Sequence, residues 1–324
     1  MRKHYPQNCT LNVKSNLAVA GTSLSGFITS SFSSGASNYG NNHNDISLYF
    51  TGTECTKVVY TSSSTGSSGH PRESYSTSNI VRSIISLDWS RIPSVASFAF
   101  HIPDQLPSSM YHKDGNGSYC CVNYQLKLQV GREIIEVVPI QIISRPSYNL
   151  PAPVEDHARR RIMLAYCIPK GSIETSIKID DTRLGTGEEL KMFLELVNNS
   201  SVDIKRVSCL LFEEIHWHSC GHYTSDITIV ASKKLPGLAG MKFNSAGNQA
   251  KVKAIQRSDS EKSINSIAFD AILRVPEHTL HTSTGNLFEI EHYLRINAQT
   301  RCGLTNVNIR IPVQITSPQK NSIR

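Results

Sequence analysis

The residues with the clearest chemical potential are four possible metal ligands at alternate positions, His216, His218, Cys220 and His222. Alternate side chains of a β-strand point to the same side, and imidazole and thiolate groups both bind zinc. Alternate side chains are about 6–7 Å apart along a strand, so four in a row extend too far for one tetrahedral ion. A bent hairpin at Cys220 could still bring two or three of the histidine and cysteine ligands together. The alternative is a half-exposed edge with Trp217 buried on the other side, and we predict no metal.

A run of three cations, Arg159, Arg160 and Arg161, is the second candidate site. Arginine binds phosphate with two parallel hydrogen bonds, so the run could contact anionic lipid headgroups or a phosphorylated tail. Lipid-reading clusters usually contain roughly four to eight cations, more than are present here. The sequence therefore predicts weak contact with an anionic membrane, and the alternative is the solvated surface of a linker.

Sequence patterns typical of enzymes are absent. The chain contains no G-x-S-x-G nucleophile turn, no phosphate-binding glycine loop and no paired-carboxylate motif. Cys120 and Cys121 are adjacent, so on a strand they point to opposite sides and cannot easily pair with each other. We predict that the protein is not an enzyme and uses no cofactor.

The elements that must position these residues are short β-strands. Runs of five to nine residues rich in Val, Ile, Tyr and Phe recur along the chain, separated by Gly, Pro, Asn or Ser. Residues 124–130 alternate strictly between apolar and polar side chains, which is typical of an antiparallel strand with one buried face. Residues 156–165 are the best candidate for a helix. The pattern predicts an all-β protein.

Several of these segments occur twice in the same order. G-x-x-L-x-x-F at 21–27 returns at 187–193, Ile102-Pro103 returns as Val275-Pro276, residues 126–128 resemble 294–296, and V-P-I-Q-I at 138–142 returns as I-P-V-Q-I at 311–315. The offsets are 166, 173, 168 and 173 residues. Ordered anchors at nearly constant spacing indicate a duplicated β-sandwich. We predict domains over residues 1–148 and 161–324, joined by a proline-containing linker over residues 149–160.

Two polar segments interrupt the first half of the chain. Residues 30–45 and 62–79 consist mostly of Ser, Thr, Gly and Asn. Such segments bury too little apolar surface to offset the entropy lost on ordering, so both are predicted to be mobile loops.

Composition restricts the functional classes further. Of 324 residues, 39% are apolar and 18% are charged, and Lys plus Arg exceed Asp plus Glu by 33 to 26. The resulting charge of +7 is too small and too scattered to indicate nucleic-acid binding. No apolar stretch is long enough to span a bilayer and the N-terminus does not resemble a secretory signal. The eight cysteines are therefore expected to be reduced in the cytosol.

Further motifs occur in a fixed order along both halves of the chain. The first half contains F-A-F-H-I-P-D-Q-L-P-S-S at 98–109, Y-Q-L-K-L at 124–128 and G-T-S-L-S-G at 21–26. These motifs resemble patterns of the N-domain of the arrestin family. The second half contains G-S-I at 171–173, G-E-E-L at 187–190, V-N-N-S-S at 197–201, E-H-Y-L-R-I at 291–296 and N-I-R-I-P-V at 308–313. These motifs are similar to patterns of the arrestin C-domain. The ordered set covers residues 10–317, and the α-arrestin branch, of arrestin-domain-containing proteins, is the nearest resemblance.

The resemblance implies two tandem immunoglobulin-like arrestin β-sandwiches in a cytoplasmic adaptor. Its expected partners are receptor or transporter tails and ubiquitin-ligase or endocytic proteins, at the plasma membrane or at endosomes. Typical α-arrestins recruit HECT-type ubiquitin ligases through P-P-x-Y motifs, which this sequence lacks. The nearest segment contains Pro146 and Tyr148 without the first proline. The alternative is a structural arrestin-like subunit of an endosomal coat, similar to the retromer subunit of that shape.

Overall fold

The computed structural model describes residues 9–30, 46–61, 70–87, 95–145, 153–164, 168–200, 202, 204–235, 266–300 and 306–317. These residues form strands, turns and bends without any α-helix, which confirms the all-β prediction. The strands are β1 (Cys9–Val13), β2 (Leu17–Val19), β3 (Ser23–Ser30), β4 (Ile46–Thr61), β5 (Pro71–Leu87), β6 (Val95–His101), β7 (Met110–Lys113), β8 (Tyr119–Val130), β9 (Glu133–Ile143), β10 (Val154–Leu164), β11 (Ile168–Ile179), β12 (Arg183–Gly185), β13 (Glu189–Ser200), β14 (Ile204–Ser219), β15 (His222–Lys234), β16 (Ser266–Arg274), β17 (Ser283–Thr284), β18 (Phe288–Thr300) and β19 (Asn306–Thr316).

The chain divides into two compact units that do not follow a single cut in the sequence. The first unit contains Met1–Pro146, His216–Asp226 and Ser283–Glu289. The second contains Ser147–Ile215, Ile227–Thr282 and Ile290–Arg324. Two short segments from the second half of the sequence therefore belong to the first unit.

Two sheets enclose the core of the first unit. One has the strand order β1-β3-β6, and the other has the order β2-β9-β8-β4-β5 with β7 added on β8. Strand β4 alternates buried and half-exposed residues along most of its length, as expected for a strand with one face on a core. Phe50 on β4 packs against Phe100 on β6 with ring centroids 6.1 Å apart, so the two sheets share one core.

The second unit has a corresponding core between strands β10-β11-β13-β16 and strands β12-β19-β18-β14-β15, with β17 added on β18. Ile173 and Leu194 from the first of these sheets and Leu211, Leu294 and Ile311 from the second are all 1% exposed or less. They belong to one continuous hydrophobic cluster. The alternating burial along β13 shows that one face of this strand lies on the core.

Equivalent backbone hydrogen bonds confirm the internal duplication. Gly21 N–H donates to Ile102 O and Gly187 N–H donates to Val275 O, at 3.0 Å in each case. Both glycines have a positive φ, 79° and 84°, which favours glycine at this turn. Strand β2 pairs in parallel with β9, as β12 does with β19. Leu126 opposes Val138 in one unit and Leu294 opposes Ile311 in the other, at the predicted offsets.

Three local predictions were wrong. Residues 71–79, predicted as part of a loop, belong to β5, because each of them has a register partner on β4 and their polar side chains suit an exposed edge strand. Residues 154–160, predicted as linker, begin β10, which pairs with β11 from Val154 onward. The helix candidate at 156–165 is part of the same strand as far as Leu164. Residues 31–45 and 62–69 lie outside the described residues.

Candidate functional site

A cationic pocket of about 210 Å³ lies on the second unit. Strand β14 contributes Arg206, Ser208 and Leu210, because the alternate residues Val207, Cys209 and Leu211 turn into the core. The polar residues around the pocket are Arg206 and Ser208 on β14, Ser232, Lys233 and Lys234 on β15, and Asn297 and Gln299 on β18. Among the described residues, none of the ion pairs uses these three cations. Their positive charge is available to a phosphate or carboxylate group.

A larger groove of about 530 Å³ on the second unit has a different charge balance. Its Arg310 side chain donates to Glu214 at 3.0 Å and lies 3.8 Å from Glu291. The guanidinium also lies over the ring of Tyr293, 3.7 Å from its centroid. Because two carboxylates already neutralise this arginine, the groove is less suited to an anionic ligand than the cationic pocket.

A buried polar network supports the wall of this groove. His292 Nε2 lies 3.3 Å from Glu213 Oε2, and His292 Nδ1 lies 2.9 Å from Thr282 Oγ1. Thr282, His292 and Glu213 are arranged in the order of the nucleophile, base and acid of a catalytic triad. However, Thr282 Oγ1 also accepts a hydrogen bond from Ile315 N–H at 2.8 Å. Glu213 accepts another from Leu280 N–H at 3.0 Å. These backbone partners indicate a structural role: the network connects residues 280–282 to strands β14, β18 and β19.

A second buried carboxylate, Glu54, lies in the first unit and is fully inaccessible to solvent. Its Oε2 accepts hydrogen bonds from the backbone N–H groups of Asn286 and Leu287, at 2.8 and 2.9 Å. Its Oε1 is buried without a partner. Burial raises the pKa of Glu54, while the two backbone donors and nearby His218 act in the opposite direction. Glu54 therefore holds the tight turn that precedes β18.

The segment around Trp217 belongs to the first unit, a placement that the sequence did not predict. Trp217 is 1% exposed, and its indole N–H donates to Lys57 O at 3.2 Å. Thr56 donates to His218 O at 2.7 Å. The hydroxyl of Ser74 lies 3.1 Å from that of Ser219. None of these pairs is close in sequence, so no local pattern could have found them.

Of the four alternate histidine and cysteine residues, His218 and His222 contact other residues of the first unit. β14 ends at Ser219, and Cys220 forms a turn with the following glycine, both with positive φ. His218 Nε2 lies 3.2 Å from Asn286 O, and the His222 ring stacks on Tyr60 at 3.7 Å between centroids. Trp217 is buried, as the alternative interpretation of this segment predicted.

The three consecutive arginines lie on strand β10 at the edge of its sheet, and all are exposed. Arg159 pairs with Glu174 at 3.1 Å. Side chains alternate along a strand, so Arg160 points away from the side shared by Arg159 and Arg161. The structure therefore does not gather the three charges on one face. The predicted linker residues Pro146 and Tyr148 lie outside the described residues.

Comparisons with known proteins agree with the fold of the second unit. Residues 169–320 match the family model for the C-terminal domain of arrestin (or S-antigen), just under half of the chain. The comparison with curated proteins gave no match. In the described residues, no helix is long and apolar enough to cross a membrane. The matched residues run from β11 to the end of β19, so the second half of the chain is similar to the arrestin C-terminal domain.

Proposed function

We propose that the protein is an arrestin-like adaptor that binds the tails of membrane proteins at the plasma membrane or endosomes and links them to trafficking or ubiquitin-ligase machinery. The match of residues 169–320 to the arrestin C-terminal domain carries the proposal. The function is reversible binding without a covalent step.

The cationic pocket formed by Arg206, Lys233 and Lys234 is the proposed contact for anionic groups on these tails. The serine and amide side chains beside the cations can donate further hydrogen bonds to phosphate or carboxylate oxygens. Hydrogen bonds between charged groups contribute roughly 1.5–3 kcal/mol each. Reversing all three charges should therefore weaken tail binding by more than about tenfold.

The test is affinity purification of the tagged full chain from host cells, followed by mass spectrometry. The variant Arg206→Glu/Lys233→Glu/Lys234→Glu is compared with Lys178→Glu/Lys191→Glu/Arg274→Glu, which changes the net charge equally on exposed residues of the other sheet of the same unit. Receptor or transporter subunits should co-purify with the wild type and the control but be depleted with the pocket variant. Equal recovery with both variants would contradict a role for the pocket.

The same experiment separates the adaptor from the alternative coat subunit. The absence of a P-P-x-Y motif favours the alternative, because that motif is how typical α-arrestins would recruit a HECT-type ligase. If a fixed set of coat proteins co-purifies in constant proportion, without membrane cargo or a ligase, the proposed adaptor function is wrong and the protein is a structural coat subunit.

A further inference from the structure

Two cysteine side chains face each other across neighbouring strands of the first unit. Cys55 on β4 is the direct register partner of Cys121 on β8. Cα atoms of directly opposed residues in antiparallel strands lie about 4.5–5.5 Å apart. This spacing falls within the roughly 4.4–6.8 Å that a disulfide spans, and both side chains project from the same face of the sheet.

The surroundings of the pair are consistent with two interacting thiols. Asn123 Nδ2 donates to Cys121 Sγ at 3.3 Å, and Thr77 Oγ1 lies 3.9 Å from Cys55 Sγ. Burial and the neighbouring Cys55 thiol raise the pKa of Cys121. Both sulfurs are unbonded in the structure, and Cys55 is the more accessible of the two.

The adjacent Cys120 provides an internal contrast. It opposes Thr56, projects into the core and is fully buried. Burial raises the pKa of its thiol to about 12, so it is almost entirely protonated at neutral pH. Of the three cysteines in this part of the sheet, two are placed to react with each other.

We propose that Cys55 and Cys121 form a reversible dithiol–disulfide site. The Cys55 thiolate attacks one sulfur of an oxidised low-molecular-weight disulfide such as glutathione disulfide, which releases one glutathione thiol and leaves a mixed disulfide. The Cys121 thiolate then attacks Cys55 Sγ and releases the second glutathione thiol. Two protein thiols and one glutathione disulfide are converted to one protein disulfide and two glutathione thiols, so atoms and electrons balance.

This chemistry would covalently join β4 to β8 near the middle of the six-stranded sheet. The joined residues are 66 positions apart in the chain, so the bond would restrict a long loop of the unfolded state. The proposal adds a modification site to a protein whose proposed function is binding, and it does not depend on that function.

The experiment treats the reduced full chain with glutathione disulfide, blocks free thiols by alkylation and maps peptides by mass spectrometry without reduction. The wild type should yield a peptide containing Cys55 linked to one containing Cys121, and a reductant should separate them. Complete alkylation of both thiols, or a Cys55–glutathione adduct that never resolves, would overturn the proposal.

Because Cys120 and Cys121 are adjacent and remain in one peptide, two variants identify the partner. The linked peptide should persist in Cys120→Ala and disappear in Cys121→Ser, where Cys55 should instead carry glutathione. The reverse pattern would assign the bond to Cys120 and overturn the proposal. The wild-type result is informative by itself if a variant fails to fold.

Discussion

The two buried carboxylates, Glu54 and Glu213, each hold backbone N–H groups of a segment that is distant in the sequence. Such an arrangement stabilises the segment only while the acceptor is present, because a buried N–H without a partner costs roughly 1–3 kcal/mol. At the scale of single residues, these carboxylates offer the sharpest tests of the structure.

Substitution of Glu54 by glutamine should change the pH dependence of stability. The pKa of Glu54 is raised in the folded state, so its contribution is fully present below the unfolded-state pKa and is lost as pH rises through the folded-state pKa. Glutamine stays neutral and can still accept from Asn286 and Leu287. Denaturant unfolding from about pH 4 to about pH 8 should show the wild type losing stability relative to Glu54→Gln. A constant difference across this range would contradict the prediction.

Removal of the Glu213 carboxylate should destabilise the second unit more than removal of the neighbouring Glu214 carboxylate. Glu213→Ala leaves Leu280 N–H and His292 without their acceptor, so we expect a loss of at least about 1–3 kcal/mol. The matched control is Glu214→Ala, whose carboxylate faces the other side of β14 and pairs with exposed Arg310. Because the Arg310 side chain is 57% exposed and can be solvated after the change, we expect a smaller loss of stability for this control than for Glu213→Ala. Equal midpoints of denaturant unfolding for the two variants would contradict the expected difference.

At the scale of elements, β10 departs from the duplication among the described strands. The four-stranded sheet of the second unit contains it beside β11, while the corresponding sheet of the first unit begins at β1. It also carries the three arginines that the sequence proposed as a membrane contact, one of which is paired with Glu174. The remaining two are exposed at the sheet edge.

We expect weak, salt-sensitive binding of the full chain to anionic vesicles, reduced in Arg160→Ala/Arg161→Ala. Each cation near an anionic leaflet contributes about 1 kcal/mol, so even both arginines of this sheet edge together supply less than the roughly 4 kcal/mol of millimolar binding. Co-sedimentation at low and physiological salt measures the effect, with Lys178→Ala/Lys191→Ala as a control of equal charge on the same sheet. If the two double variants bind alike, only net charge matters and β10 is a solvated edge.

At the scale of the whole molecule, the first unit contains chain segments 216–226 and 283–289 from the second half of the sequence. A fragment of residues 1–146 lacks these segments and so exposes the surfaces that Trp217 and the Glu54-bound turn cover. We expect this fragment to melt at a lower temperature than the full chain and to be digested faster by protease. A fragment with the thermal stability of the full chain would show that the two segments contribute little.

The sequence by itself determined the class and duplication of the fold. Alternation along segments such as 124–130 depends only on neighbouring residues, because a strand turns successive side chains to opposite sides. The repeated anchors predicted the equivalent turns at Gly21 and Gly187 for a similar reason, since a tight turn restricts local residue types. The motifs of the second half also anticipated the arrestin C-terminal domain match.

Only the tertiary structure decided which distant groups meet. The polar residues 71–79 form a strand because β4 supplies their register partners, which no local apolar pattern records. Glu54 and Glu213 are charged residues within strands that face the core, and the sequence around them does not indicate their partners. The backbone N–H groups that they accept from lie 232 and 67 residues away. The facing of Cys55 and Cys121 likewise depends on strand register. Hydrogen bonding and register connect residues through space, so chain-local patterns predict the strands but not the sites that their pairing creates.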